Sequence, residues 1–295
     1  RQAPLLSTTY GWIPTDMTIT TLDGVVNALG NNSSRFILDK ASLSNAAAGQ
    51  YHSLFRATGQ PGQGAIPTAA AVCTNALLGA MNFTQQTSPA TTYGGWANAL
   101  CSNSATTLEI HDRLMHMGGL NGTLLTAQTV NLDVHANIGS NDLAARIGDS
   151  NYSDVQWFME WYTDTGASVV NATVAVTYND GTSGNLTAQS LAATRRASLM
   201  IPLNSLVPPA KAGFYIRDID SVTLSATTGT AGNFGFTATR PRLTMPLPLA
   251  NKMEIFDWAA LGFPEIVNSS CLFPVQIAST TSTGTVRGGG KLAHG

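Results

Sequence analysis

The chain has 295 residues and a formal net charge of -2, so it is long enough to bury a full core as one large or two modest domains. Charged residues make up only 11% of it, against about 25% in a typical globular protein. We therefore expect no basic face for nucleic acid, and no apolar run reaches membrane-spanning length. Such a composition is typical of a secreted β-protein or of a subunit packed against copies or partners, and we favour the second interpretation.

Residues 1–34 are predicted to form an N-terminal arm with one short helix. Apolar residues at positions 22, 25, 26 and 29 follow the i, i+3, i+4, i+7 spacing of one helix face. Two placements of this arm stay open. It either lies over a neighbouring subunit or docks on its own domain.

Residues 35–150 are predicted to form a mixed, mainly β region, with strands over 35–40, 51–57 and 129–134. In the segment 107–117, apolar residues alternate with polar ones, which favours a strand. Asp112 falls on the apolar face of that strand, so an amphipathic helix remains the competing interpretation. The alanine-rich segment 68–81 fits a helix or a strand, and 141–147 fits one or two helical turns.

Residues 151–295 are predicted to form an antiparallel β-sandwich or jelly-roll body, which could merge with the preceding region into one domain. The strand-like runs are 155–162, 169–178, 198–203, 219–226 and 233–239. Asp180-Gly181 between two of them predicts a hairpin, because a tight primed turn needs positive φ. Further along, 257–264 is predicted to be a short helix, and 271–278 is predicted to pair with 285–292.

The first strand of this body carries bulky side chains on both faces. Trp157 and Trp161 lie on one face, and Glu160 and Tyr162 lie on the other. This pattern indicates a central sandwich strand or a strand buried at an interface between subunits. If Trp157, Trp161 and Tyr162 face solvent instead, they are candidates for stacking on glycans. Glu160 is the best lone candidate for an acid catalyst, although core packing with a cross-strand polar contact is the favoured account.

Several groups resemble binding sites only in part. His111 and His116 are five residues apart, which places them on opposite faces of a strand and poorly aligned on a helix. Asp218 and Asp220 lack the loop spacing of a calcium site. The run 288–291 (GGGK) has no following helix to complete a phosphate loop. We therefore predict no metal and no cofactor.

Three cysteines argue against a disulfide framework because their number is odd. A Cys73–Cys101 bridge stays open, but we predict free buried thiols at Cys73, Cys101 and Cys271. No Gly-x-Ser-x-Gly motif is present, and no Ser–His–Asp arrangement can be assigned from the scattered residues. We therefore expect no enzymatic activity.

Five sequence phrases resemble uncharacterised virion structural proteins of tailed bacteriophages. They are HMGGLNGT (116–123), WYTDTG (161–166), SLAATRRAS (190–198), SVTLSATTGTAGNFGFTATRP (221–241) and CLFPVQIASTTSTG (271–284). The likeness runs from about residue 35 onward. It implies a β-rich subunit that is present in many copies in the phage particle.

The resemblance also bears on the position in that particle. The sequence lacks the long spine helix and charged N-terminus of the usual major capsid fold, which favours a capsid decoration or cement protein. The implied partners are copies of the chain itself, expected as a trimer, and other virion proteins such as the major capsid protein. Nucleic acid and membrane are not expected as direct partners. The alternative is a tail or fibre component that binds host glycans through Trp157, Trp161 and Tyr162.

Overall fold

A computed structural model describes residues 18–43, 46–103, 105–192 and 194–295, so residues 1–17 of the predicted arm lie outside the described part. One α-helix, α1 (Leu22–Asn31), is followed by strands. They are β1 (Ser33–Lys40), β2 (Tyr51–Ser53), β3 (Gly59–Gln60), β4 (Ala71–Val72), β5 (Thr92–Cys101), β6 (Thr106–Leu120), β7 (Gln128–Asp133), β8 (Gln156–Thr163), β9 (Val170–Tyr178), β10 (Ser183–Asn185), β11 (Gln189–Leu191), β12 (Leu199–Pro202), β13 (Ile216–Leu224), β14 (Asn233–Leu247), β15 (Glu254–Phe256), β16 (Glu265–Ile266), β17 (Leu272–Ile277) and β18 (Val286–His294). Short helical turns cover His135–Gly139, Ala144–Ile147, Asn204–Leu206 and Pro209–Lys211.

The helix α1 docks on its own chain. The hydroxyl of Thr21 caps it by accepting a hydrogen bond from the backbone of its first turn at 3.1 Å. Val25 and Ala28 are buried, and the Asn32 amide, just past the helix, donates to the carbonyl of His294 at 2.9 Å. The predicted helix is confirmed. The part of the arm that the structure describes packs against β18 of the same chain.

The largest sheet closes into a barrel. Its strands follow the order β14-β8-β12-β2-β17-β6, and β14 also pairs with β6 along almost its full length. This second pairing leaves six strands in a closed antiparallel ring, with β4 added beside β6. Residues that alternate along these strands therefore point either into the barrel or out of it.

Two further sheets cover the outside of the barrel. One has the order β15-β5-β18-β1-β3, with β16 also on β5, and is called the glycine-strand sheet because β18 contains 288–290. The other has the order β10-β9-β13-β7, with β11 also on β9, and is called the β9–β13 sheet. Apolar side chains fill both interfaces with the barrel, and a third cluster lies around its interior. The barrel is therefore the middle layer.

The mainly β prediction is confirmed. The hairpin at Asp180-Gly181 is present: β9 pairs with β10, and Gly181 has φ +82. The ambiguous segment 107–117 is a strand within β6. The jelly-roll topology is not confirmed, because the largest sheet closes into a barrel instead of forming half of a sandwich. Strands on either side of residue 150 pair with each other in all three sheets.

Two local predictions are wrong. The segment 257–264 forms turns and no helix, because Gly262 and Phe263 adopt φ of +73 and +46, which end a right-handed turn. The strands β17 and β18 exist but do not pair with each other. Instead, β17 joins the barrel and β18 joins the glycine-strand sheet. In 68–81 only Ala71–Val72 is regular structure, and 141–147 contains one 3₁₀ turn.

No helix in the described ranges is both long enough and apolar enough to cross a membrane.

Candidate functional site

The structure places the three candidate aromatic residues of β8 in the core. Trp157 and Trp161 are 0% and 1% exposed between the barrel and the β9–β13 sheet, and Tyr162 is 3% exposed. The Trp157 indole donates to the carbonyl of Ile216 at 2.8 Å, and Trp161 stacks on Phe234 with ring centroids 5.8 Å apart. Because both faces of β8 are covered, none of the three offers a ring face to a glycan or a neighbouring subunit in the folded chain.

Glu160 forms a buried ion pair inside the barrel. Its Oε2 lies 2.6 Å from Nη2 of Arg113, and it accepts further hydrogen bonds from the hydroxyls of Thr237 and Tyr162. Burial by itself raises the pKa of Glu160, but the Arg113 charge and the hydrogen bonds from Arg113 and Thr237 outweigh it and hold the pKa below its ordinary value. A carboxylate kept ionised in this way is a structural anchor and not a proton donor.

Arg113 is held from several sides. Its guanidinium carbon lies 4.6 Å from the centroid of the Phe55 ring and 5.2 Å from that of Phe273. Its Nε donates to Nδ1 of His116 at 3.0 Å, and Nη2 donates to the hydroxyl of Tyr162 at 3.2 Å. The neighbouring carboxylate of Glu160 prevails over burial and raises the pKa of Arg113. The arginine therefore stays charged in the barrel interior.

Asp112 forms a second buried ion pair. Its two carboxylate oxygens accept from Arg146 at 2.6 and 2.9 Å, and they also accept from the hydroxyl of Ser270 and the backbone of Cys271. Arg146 in turn donates to the carbonyls of Cys73 and Arg113. This cluster explains why an acid lies on the apolar face of β6. Sequence reasoning missed Arg146, although an arginine between Ala145 and Ile147 was an available signal.

The histidines have separate partners. His111 contacts the carboxylate of Glu109 at 2.8 Å and the hydroxyl of Thr239 at 3.0 Å, whereas His116 accepts from Arg113. Within the described residues, no group of three or more His, Cys, Asp or Glu side chains is arranged to hold a metal.

The two aspartates of β13 make ordinary contacts. Asp218 accepts from the backbone of His135 and from Arg217 at 2.7 Å, and burial raises its pKa. Asp220 accepts from the hydroxyl of Thr177 at 3.2 Å. Asp218 therefore forms a salt bridge with Arg217, whereas Asp220 accepts a hydrogen bond from a neutral side chain.

All three cysteines are buried free thiols, as predicted. Cys101 donates to the carbonyl of Thr283 at 3.2 Å. Cys73 lies next to Cys271. Both residues form backbone hydrogen bonds with β6: the Cys73 N–H donates to the carbonyl of Leu114, and the Cys271 carbonyl accepts from the N–H of Arg113.

Among the strands that the structure describes, the large aliphatic side chains with the greatest exposure lie on the outer face of the glycine-strand sheet. Ile37 on β1 and Ile255 on β15 are 67% and 66% exposed. Beside Ile37 lies a groove of about 590 Å³ whose floor is the glycine run 288–290 of β18. Its wall includes Trp96 and Leu29, together with the basic residues Arg35 and Lys291. Glycine leaves the backbone uncovered there, so a partner side chain can approach it closely.

The register of the sheet lines these residues up. Ile37 is opposite Gly289, Gly289 is opposite Asn98, and Asn98 is opposite Ile255, so the four form one row across β1, β18, β5 and β15. Sequence reasoning missed this row. The signal was the uninterrupted apolar run 36–38, which on a strand must place a side chain on each face.

No protein-family model and no curated protein matches the chain. Among solved structures, it is similar to infectious bursal disease virus, Gt strain, with 10% sequence identity, 88% of this chain and 81% of that chain covered, and a TM-score of 0.17. It is also similar to a mutant VP2 protein of the same virus in T=1 particles, with 10% identity, 92% and 82% covered, and a TM-score of 0.18.

Proposed function

We propose that the chain is a non-enzymatic structural subunit of a virus particle, held in place through the outer face of the glycine-strand sheet. The observation that carries the proposal is the row from Ile37 to Ile255, which exposes two large aliphatic side chains on either side of a glycine floor. Exposed apolar surface around an open groove is typical of protein contact sites.

The body behind this face suits a building block. Three layers pack on each other, and two fully buried ion pairs, Arg113–Glu160 and Asp112–Arg146, tie β6 to separate parts of the chain. Any other packing of β6 that separated one of these pairs would leave a buried charge without its partner. Such packings are therefore strongly disfavoured. The low charge of the chain lets many copies approach one another without strong repulsion.

The finer role that we propose is a bacteriophage capsid decoration or cement protein. It is supported by the sequence resemblance to virion structural proteins of tailed phages. In this role the partners are copies of the chain, as a trimer, and the major capsid protein, and the location is the assembled particle. The alternative, a tail or fibre component that binds glycans through Trp157, Trp161 and Tyr162, loses its support because all three side chains are buried.

The proposal is tested by binding to phage heads. Fluorescently labelled protein is mixed with heads that lack it and sedimented. We expect the unmodified chain to sediment with the heads and the double variant Ile37→Lys/Ile255→Lys to stay in solution, because each substitution places a charge in a contact that must become dry. The control is Val169→Lys, which changes a side chain that is 63% exposed and outside this row.

Folding is checked in parallel. All three proteins should melt within about 2 °C of each other, since exposed substitutions change stability by less than about 0.5 kcal/mol. The proposal is wrong if the unmodified chain does not bind heads, or if the folded double variant binds them as well as the control does.

A further inference from the structure

A second cavity opens where the barrel meets the β9–β13 sheet. Its volume is about 570 Å³, within the range of small-molecule sites. Tyr51, Gln156 and Phe158 contribute from the barrel side, and Phe214 and Tyr215 contribute from the segment that leads into β13. We call it the aromatic pocket. It is separate from the outer face of the glycine-strand sheet.

Aromatic rings form much of its wall. The rings of Tyr51 and Phe158 are tilted against each other with centroids 5.3 Å apart, and Phe158 is buried behind the more open Tyr51. On the other side Tyr215 is 39% exposed, which is unusual among the aromatic rings of the described residues. Phe214 is fixed by the ammonium of Lys211, which lies 4.6 Å from its ring centroid. The pocket is therefore preformed and presents rings to a ligand.

Polar groups between the rings are free to bond. The side-chain amide of Gln156 and the hydroxyls of Tyr51 and Tyr215 make no hydrogen bond to any residue that the structure describes. An amide offers both donors and an acceptor, and a phenol offers one of each. An entirely apolar ligand would cover these groups without satisfying them, at a cost in affinity.

Charge restricts the ligand further. Among the described residues that line the aromatic pocket, none carries a charged side chain. A neutral ligand with one apolar face and several hydroxyl groups meets both requirements, because rings stack on the apolar face while amide and phenol groups bond the hydroxyls. We propose that the aromatic pocket binds a neutral saccharide. This inference does not rest on the proposed structural role and involves none of the buried residues of β8 that were first considered for glycans.

The proposal is tested by saturation-transfer NMR and calorimetry on the full chain. The probes are neutral trisaccharides of glucose, galactose, mannose and N-acetylglucosamine, one sialylated trisaccharide, and a proline-rich decapeptide as the competing ligand class. We expect at least one neutral trisaccharide to bind with a Kd of about 1 mM or lower, and the sialylated sugar and the peptide to bind at least tenfold more weakly.

The variants Tyr215→Ala and Gln156→Ala should each weaken that binding at least tenfold. The matched control is Tyr93→Ala, which removes a ring that stacks on Phe263 at 4.7 Å, outside the pocket, and should leave binding unchanged. All variants are first shown to keep the circular dichroism spectrum and melting temperature of the parent. The proposal is overturned if no neutral sugar binds, if the folded pocket variants bind as the parent does, or if only the peptide or the sialylated sugar binds.

Discussion

Asp112 and Arg113 are consecutive residues of β6, and each closes a different buried ion pair. Asp112 bonds Arg146, and Arg113 bonds Glu160, both with a closest N–O distance of 2.6 Å. The two neighbouring side chains therefore bind different partners. Arg146 lies before β8 in the chain, and Glu160 lies within β8. A shift of β6 by one residue in one direction would place Asp112 against Glu160, and a shift in the other direction would place Arg113 against Arg146. The two pairs together therefore specify the register of β6.

Replacing Arg113 with methionine should lower the free energy of unfolding by about 3–5 kcal/mol, because Glu160 would be left as a buried charge without its partner. Urea denaturation followed by tryptophan fluorescence measures this change. The control is Arg196→Ala, which breaks an ion pair with Asp164 whose side chains are 41% and 47% exposed. That variant should change stability by about 0–1 kcal/mol. Equal effects of the two variants would contradict the buried pairing.

The double variant Arg113→Met/Glu160→Leu should recover much of the loss, because it removes both charges and leaves apolar groups of similar size among Phe55 and Phe273. The measurement is the same denaturation at pH 7. A double variant as unstable as Arg113→Met would show that the cost comes from packing and not from the unpaired carboxylate.

Acid should weaken the Arg113–Glu160 pair. The folded chain holds the pKa of Glu160 below its ordinary value of 4.5 despite burial. The stabilisation is therefore complete above about pH 4.5, and it is lost as the pH falls from there toward the lower folded value, since the unfolded chain takes up the proton first. Below pH 4.5 the parent should lose stability more steeply than the double variant. Parallel curves between pH 5 and pH 3 would contradict this expectation.

Lys40 should make stability rise with pH in the alkaline range. Its ammonium is fully buried, donates to the carbonyls of Ala57, Pro61 and Gly62, and has a pKa lowered by burial to about 8. Between about pH 8 and the ordinary value of 10.5, the unfolded chain keeps a proton that the folded chain has released, so unfolding becomes less favourable as the pH increases. The comparison is Lys40→Met, measured from pH 7 to pH 10 by urea denaturation. Relative to that variant, the parent should gain stability above pH 8; a constant difference would be contrary to the prediction.

Two glycines should respond oppositely to alanine. Gly59 has φ +120, and a Cβ there would lie 1.7 Å from the carbonyl oxygen of Asp39, which is backbone and cannot move away. Gly59→Ala should cost about 3 kcal/mol or more, since a strained φ and overpacking each cost about 1–3 kcal/mol. Gly30 lies in α1 with no atom within 4 Å of its Cβ position, so Gly30→Ala should stabilise by about 0.5–1 kcal/mol. The measurement is the melting temperature of both variants. A change of melting temperature in the same direction for both would contradict the backbone conformations described here.

Local patterns predicted most strands well. The run 155–162 corresponds to β8, and 169–178 corresponds to β9, because alternation and turn residues act over short distances. Even the anomaly at Asp112 was visible in the sequence. Its cause was not, since Arg146 is 34 residues away and reaches it only in the folded chain.

Long-range pairing could not be predicted from these patterns. Alternation along β6 indicates that the strand has two different faces. It does not identify β14 as the partner, because the residues of β14 follow more than 100 positions later in the chain. The prediction that β17 pairs with β18 was wrong for the same reason. It rested only on the fact that the two strands are neighbours in sequence. The row from Ile37 to Ile255 also depends on the order of strands in a sheet, which adjacent residues do not encode.

The pairing of β14 with β6 affects how the chain behaves when many copies are packed close together. Each of the six strands pairs with two others of the ring, so the ring has no edge strand, and β4 covers the part of β6 that extends past β17. At the very high local concentration of a packed shell, open edges would invite uncontrolled fibre-like growth. In the proposed shell the central layer is therefore free of that hazard, and the side chains exposed on the glycine-strand sheet would distinguish the right neighbour from the wrong one by their shape and charge.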